Sequence, residues 1–263
     1  MALGFLSCGG YNKVIKSTDN DFKYQKAVEY YESGDYYKAH SVLESVGSAF
    51  RGTAKGENVV YMIAKSYYNN KDYTSAKSYF SAYTRSYPQG EHAEECKFLA
   101  GKCLCQDSPD VKLDQASTVT AIDELLEFTN LYPQSQYLPE AVSLLSELQE
   151  KLAEKAYLNA KLYFDLGDYM GNNYRSAVVT ATNALKLYPD TKRKEDLSFL
   201  ILDAKYMQAV KSVESKMEDR YRDTDDEYYN YIGEFPNGKH KKEAERIHEK
   251  TRKYINAIDN KNK

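Results

Sequence analysis

Four stretches of this chain close on an aromatic–proline pair: "SYPQG" (86–90), "LYPQS" (131–135), "LYPDT" (187–191) and "EFPNG" (234–238). Proline has no N–H to give a helix interior, and it pushes the residue before it out of helical conformation. The chain holds six prolines, and four of them sit in these stops, so proline here is punctuation between helices. Eleven residues before each aromatic lies a small residue: Ala76, Ala121, Ala177 and Thr224. The same step back from Phe50 reaches Ala39, with Arg51 in the proline's place. Five segments therefore share one template of a small residue, three helical turns, an aromatic and a stop.

The upstream residues repeat as well. "KAVEYYESGDYYKA" (26–39) aligns with "IAKSYYNNKDYTSA" (63–76): Ala27 and Ala64 are each followed by Tyr three residues on and by Ala twelve on. Ala160 with Tyr163 and Ala100 with Cys103 continue the pattern. Each unit reads as helix, turn, helix, with small residues where two helices cross closely and with Tyr30, Tyr67 and Tyr163 as packing residues. This is the tetratricopeptide pattern, whose ideal unit is about 34 residues. The observed steps are 37, 45, 56 and 47, so turns or helices are enlarged, as at 106–118 and 167–177. Residues 139–166 carry no breaker and predict one long helix of roughly 40 Å, a rigid join between the third and fourth repeats. Repeat arrays bury their core only between neighbours and need caps. The segment 239–258, with Ala244, Ile247, Ile255 and Ile258 on one side, is expected to be the C-terminal cap. The expected fold is all-α, a right-handed α-solenoid of five tetratricopeptide-like repeats.

Composition bounds the function. Net charge is −3, which gives no overall field for nucleic acid, although nine Lys/Arg against four Asp/Glu from Lys239 onward leave a basic end. No HExxH, Walker loop, GxSxG or GxGxxG occurs, and His40, His92, His240 and His248 lack metal spacing. The chain is read as a non-enzyme with no cofactor and no metal. Cys96, Cys103 and Cys105 fall in one helix and are read as small buried hydrophobes.

What remains is a surface. First helices of such an array line a concave groove. Taking Ala27, Ala64 and Ala100 as equivalent places Tyr24, Tyr31 and Glu32, then Tyr61, Lys65, Tyr68 and Asn69, then Lys97 along it. The chain has 26 tyrosines and no tryptophan. Tyrosine offers a large apolar face with a hydroxyl at its tip, suited to an extended peptide, and Lys65 and Lys97 would meet a carboxylate. At the other end, the apolar residues before Ser7, Cys8 and Gly9–Gly10 resemble a bacterial lipobox, in which the cysteine becomes the acylated first residue. No basic residue precedes it, so the start of translation is expected upstream. No stretch of 18 apolar residues exists to span a membrane.

With lipobox-like Cys8, five repeats and this length, the chain resembles the BamD family, a lipoprotein of the outer-membrane β-barrel assembly machine. The resemblance rests on "YYKAHSVLESV" (36–46), "YMIAKSYYNNKDYTSAKSYFSAY" (61–83), "YPQSQYLPEA" (132–141) running into "LAEKAYLNAKLYFDLGDY" (152–169), and "LYPDT" (187–191). It implies a lipid-anchored protein on the outer membrane facing the periplasm. The implied partners are unfolded outer-membrane proteins and the periplasmic domains of a BamA-like insertase. The expected layout is 1–20 as signal remnant, acylated Cys8 and tether, 21–137 as substrate repeats, and 138–263 as docking repeats with the cap. The "GNNY" insertion at 171–174 and the basic end depart from the family pattern, so no insertase contacts carry over. A periplasmic repeat scaffold for division or peptidoglycan coordination, and a glycan-binding lipoprotein, are the alternatives.

Overall fold

The computed structural model describes the backbone of residues 7–261 and the side chains of residues 10–260. Twelve helices follow in order among them: α1 (Ser7–Lys16), α2 (Asn20–Glu32), α3 (Tyr36–Val46), α4 (Ala54–Asn69), α5 (Tyr73–Ser86), α6 (Ala93–Gln106), α7 (Ala116–Leu131), α8 (Leu138–Leu166), α9 (Asn173–Leu187), α10 (Lys194–Val210), α11 (Glu214–Glu234) and α12 (Lys241–Lys261). No strand occurs among the described residues. Two compact units divide the chain, one up to Leu148 and one from Gln149. In the first, α2 to α7 each pack on the next helix in sequence; in the second, α9 to α12 do so. The fold is the expected all-α stacking of helical hairpins.

The four stops adopt one conformation. Tyr87, Tyr132, Tyr188 and Phe235 are helix C-caps with φ of −133, −127, −130 and −124° and ψ of 62, 64, 66 and 62°. Each still donates its N–H to the carbonyl four residues back, but the following proline forbids another helical turn. The small template residues are fully buried: Ala39, Ala76, Ala121, Ala177 and Thr224. The first stop differs. Without a proline, α3 already ends at Val46, and the chain turns through Gly52 at φ 77° before Thr53 caps α4.

Each proline stop delivers its turn to a carboxylate at the far end of the same hairpin. Glu57 of α4 accepts the N–H of Glu91 at 3.0 Å and the Tyr83 hydroxyl. Glu94 of α6 accepts the Ser135 hydroxyl. Glu150 of α8 accepts the Thr191 hydroxyl at 3.1 Å and the N–H of Lys192 at 3.2 Å. Glu195 of α10 accepts the Tyr231 hydroxyl at 3.0 Å and the N–H of His240 at 3.2 Å. The hydroxyl comes from one of two places. Where the turn holds Ser135 or Thr191, it supplies its own. Where it holds Gly90 or Gly238, a tyrosine seven residues earlier supplies it, and a Cβ on the glycine would run into the carboxylate. A ring stack or ion pair flanks each latch: His92 on Tyr61 (3.8 Å), Tyr137 on Phe98 (5.0 Å), Arg193 with Glu154 (2.9 Å) and His240 on Phe199 (4.4 Å).

The long helix is present as α8, with 29 residues. In the second unit Ala160 of α8 packs with Ala181 and Ala184 of α9 and Leu197 of α10. Tyr163 does not join them. It is 39% exposed, and its neighbour Phe164 takes the packing place against Tyr174 at 5.6 Å. Tyr30 and Tyr67 do pack on the first core cluster. The C-terminal helix buries Ala244 and Ile247 against Leu202 and Tyr231, and Ile255 against Ala209 and Tyr221, as a cap should. Residues read as a polar tether form α1, whose Val14 is 3% exposed in the first core. Cys8 lies in that helix, but its side chain falls outside the described residues. Cys96 and Cys103 are buried and Cys105 is half-buried.

If the latch is one device with two sources of hydroxyl, Ser135→Gly should cost about 1–3 kcal/mol by leaving Glu94 short of a donor. Phe128→Tyr, placed seven residues before that glycine, should restore part of the loss by rebuilding the Tyr83–Gly90 arrangement. Urea unfolding of the two variants reads this directly, and a double variant no more stable than the single one rejects the equivalence.

Candidate functional site

The first-helix face of the first unit is organised around Glu95. Tyr61, Lys65 and Tyr68 stand four and three residues apart, which places them along one face of α4. The Tyr61 hydroxyl donates to Glu95 Oε2 at 2.9 Å, and Lys65 Nζ lies 2.9 Å from Oε1. His92 lies flat on the Tyr61 ring. Burial lifts the Tyr61 phenol well above its ordinary value, and the hydrogen bond to Glu95 adds to that. Burial also pushes the Tyr31 phenol up to about 12, with the Tyr36 and Glu95 charges adding. For Glu95 burial alone would raise the pKa. The hydrogen bonds from Lys65 and Tyr61 outweigh it and hold the carboxyl below the usual glutamate value.

One repeat further on the arrangement returns. Thirty-seven residues after Lys65 comes Lys102, whose Nζ is 2.7 Å from Glu140 at the start of α8. The Lys102 ammonium also meets the Tyr68 hydroxyl. Lys65–Glu95 and Lys102–Glu140 are thus two rungs of one ladder between successive first helices, with Tyr61 and Tyr68 beside them. Glu95, His92, Lys102 and Glu140 were not among the sequence-predicted residues. The step from Lys65 to Lys102, equal to that from Ala27 to Ala64, was the signal available.

The same step corrects the register of the third repeat. Ala64 corresponds to Gly101, not Ala100, and a Cβ on Gly101 would stand 2.8 Å from Leu125 Cδ2 of α7. Lys97 therefore corresponds to Val60. It faces its own hairpin partner, with Nζ 2.8 Å from both Glu124 and Glu127 of α7, and does not join the ladder. Tyr24 is also apart from the Glu95 group. It packs edge-on against Phe50 at 5.5 Å, with the Lys55 ammonium 5.5 Å from its ring centre. Tyr31 packs edge-on against Tyr36 at 5.7 Å. Asn69 and Glu32 are exposed at the ends of their helices. The two lysines expected to receive a carboxylate already hold internal ones, and the Tyr61 and Tyr68 hydroxyls are engaged by Glu95 and Lys102, so what this face leaves available is tyrosine ring.

Among the described residues, no group of three His, Cys, Asp or Glu side chains could hold a metal ion, and no helix is long and apolar enough to cross a membrane. Residues 16–170 match the family described as YfiO, outer membrane lipoprotein. The chain is 30% identical to a putative outer membrane protein assembly factor BamD of Aquifex aeolicus, over 74% of this chain and 64% of that protein. It is 22% identical to the outer membrane protein assembly factors BamD of Haemophilus influenzae and Pasteurella multocida, over 76% and 73% of this chain and 78% and 75% of theirs. The match thus spans just under two thirds of the length of the Aquifex relative.

Because the carboxyl of Glu95 is held below its unfolded value, its share of stability is complete above that value and fades as pH falls through the lower folded one. The stability difference between the native chain and Glu95→Gln should therefore shrink as pH drops below the usual glutamate range. Lys65→Met should move the Glu95 titration upward, read by carbon NMR of the carboxyl.

Proposed function

The chain belongs to the YfiO family of outer membrane lipoproteins, and on that premise we propose that it is a non-enzymatic outer-membrane protein assembly factor. It is anchored by an acylated Cys8 on the periplasmic face of the outer membrane. The first-helix face of the first unit holds unfolded β-barrel chains, and the second unit docks on the periplasmic domains of the barrel insertase.

The observation that carries this reading is the row of half-buried tyrosines kept in place by the Lys–Glu ladder on that face. Tyr61 and Tyr68 present rigid aromatic surface at low entropic cost, and the ladder fixes the spacing between successive first helices at two points. An extended apolar segment, with side chains alternating along it, is what such a row fits. The curated relatives carry the name of assembly factors, which supports the class of process.

Titrating the full chain with a peptide from the last strand of an outer-membrane barrel tests the surface. Tyr61→Ala with Tyr68→Ala should weaken binding by about tenfold or more, the range of a lost aromatic hot spot, while Lys97→Ala leaves it unchanged. Equal affinities for all three chains would remove the groove assignment. Separately, Cys8→Ser should move the protein to the soluble fraction when no partner is co-expressed.

A further inference from the structure

A second cleft, on other surfaces of the same unit, opens between the second helices α3 and α5 and is floored by α4. It measures about 700 Å³, within the range of about 300–1,000 Å³ typical of ligand sites. Gly56 sits where a Cβ would collide with the Phe50 carbonyl, so the α3–α4 turn lies directly on the floor helix. Val59, Val60 and Ile63 form the floor and Tyr79 a wall.

The repeat itself supplies a comparison. One hairpin on, between α5 and α7 over α6, the equivalent cleft is about 360 Å³. There Lys97 reaches across to Glu124 and Glu127, 2.8 Å from each. In the first cleft those three positions are Val60, Tyr79 and Ala82, by the steps of 37 and 45 residues that relate the repeats. The ion cluster that spans the second cleft is replaced by an apolar wall in the first. Two charged groups, Glu44 and Arg51, stand at its mouth without pairing with each other. Glu44 is satisfied by the Tyr67 and Tyr79 hydroxyls, at 2.7 and 2.8 Å. Arg51 makes no ion pair or hydrogen bond among the described residues and is exposed at the rim, standing where the later stops have proline.

We propose that this cleft is a second peptide site, taking an apolar side chain carried next to a carboxylate. The apolar group lies on Val59, Val60 and Ile63, in the volume that Lys97 and its partners occupy one repeat later. The carboxylate pairs with the Arg51 guanidinium, a geometry arginine favours because its planar fork matches two oxygens.

The test is an NMR titration of the full chain with acetyl-Leu-Phe-Asp-amide and with its Asn counterpart. Gly47, Gly52 and Gly56 line or border the cleft and report in a sparse part of the amide spectrum. The Asp peptide should shift these three, and should bind about fivefold or more tighter than the Asn peptide. Val60→Lys, which copies the Lys97 position, should abolish the shifts, and Arg51→Gln, an exposed change, should make the two peptides equal. Tyr61→Ala with Tyr68→Ala should leave them untouched, which separates this site from the first-helix face. Absent glycine shifts, no preference for the Asp peptide, or shifts that follow Tyr61 and Tyr68 would each overturn the proposal.

Discussion

One steric constraint repeats through this molecule: a proline stops the helix that runs into it, because it has no N–H to donate and crowds the residue before it. At Tyr87, Tyr132, Tyr188 and Phe235 it produces the same cap within about ten degrees. An identical cap sends the chain off in an identical direction, so the third residue after each aromatic arrives beside the start or middle of the hairpin's own first helix. A glutamate waits there each time. The stop thus does more than end a helix. It closes the open end of the hairpin, where two antiparallel helices would otherwise fray, and fixes where the next first helix begins. Burying a carboxylate is costly unless its lone pairs are filled, which makes the closure demanding about what the turn contains.

That demand explains how much of the fold could be read from the sequence. The prolines and the small residues at 39, 76, 121, 177 and 224 act through local sterics and carry fixed spacing, so the hairpins, the long α8 and the cap were legible. The latch was not, because its constant quantity is one hydroxyl at one point in space, while its residues change. Tyr83 with Gly90 and Phe128 with Ser135 satisfy the same glutamate position in different letters. Register was lost by one residue twice for a similar reason. Ala100 and Tyr163 look like template residues, but Gly101 and Phe164 occupy the places, since close approach to Leu125 and packing on Tyr174 decide them. The candidate site suffered most. Its tyrosines were found from helical periodicity, whereas the Lys–Glu rungs join helices about thirty-five residues apart and show only once the step from Lys65 to Lys102 is counted.

The second unit solves a comparable problem with different charges. Asp196, buried in α10, is flanked by His240, Lys239 and Arg193. Burial alone would raise its pKa, and these three partners instead lower it to about 2. Both units therefore keep a buried or half-buried carboxylate ionised by surrounding it with donors, from the preceding first helix for Glu95 and from the N-cap of α10 and the turn after α11 for Asp196. Nearest-neighbour pairing of this sort suits a repeat fold, in which each hairpin has only adjacent hairpins to pack against.

The ladder also constrains how the first-helix face can bind anything. Lys65 and Lys102 are already neutralised by carboxylates within 3 Å. An incoming acidic group would have to break a half-buried pair, exchanging one ion pair for another with little net gain after desolvation. Affinity on this face must then come from the rings of Tyr61 and Tyr68, which need no such exchange. The ion pairs hold the helices those rings stand on, so their removal should loosen the spacing of the rings more than it subtracts a contact. On the proposed assignment such a surface would be tolerant of sequence, because every apolar side chain can lie on a ring, and selective for an extended backbone that matches the distance between first helices.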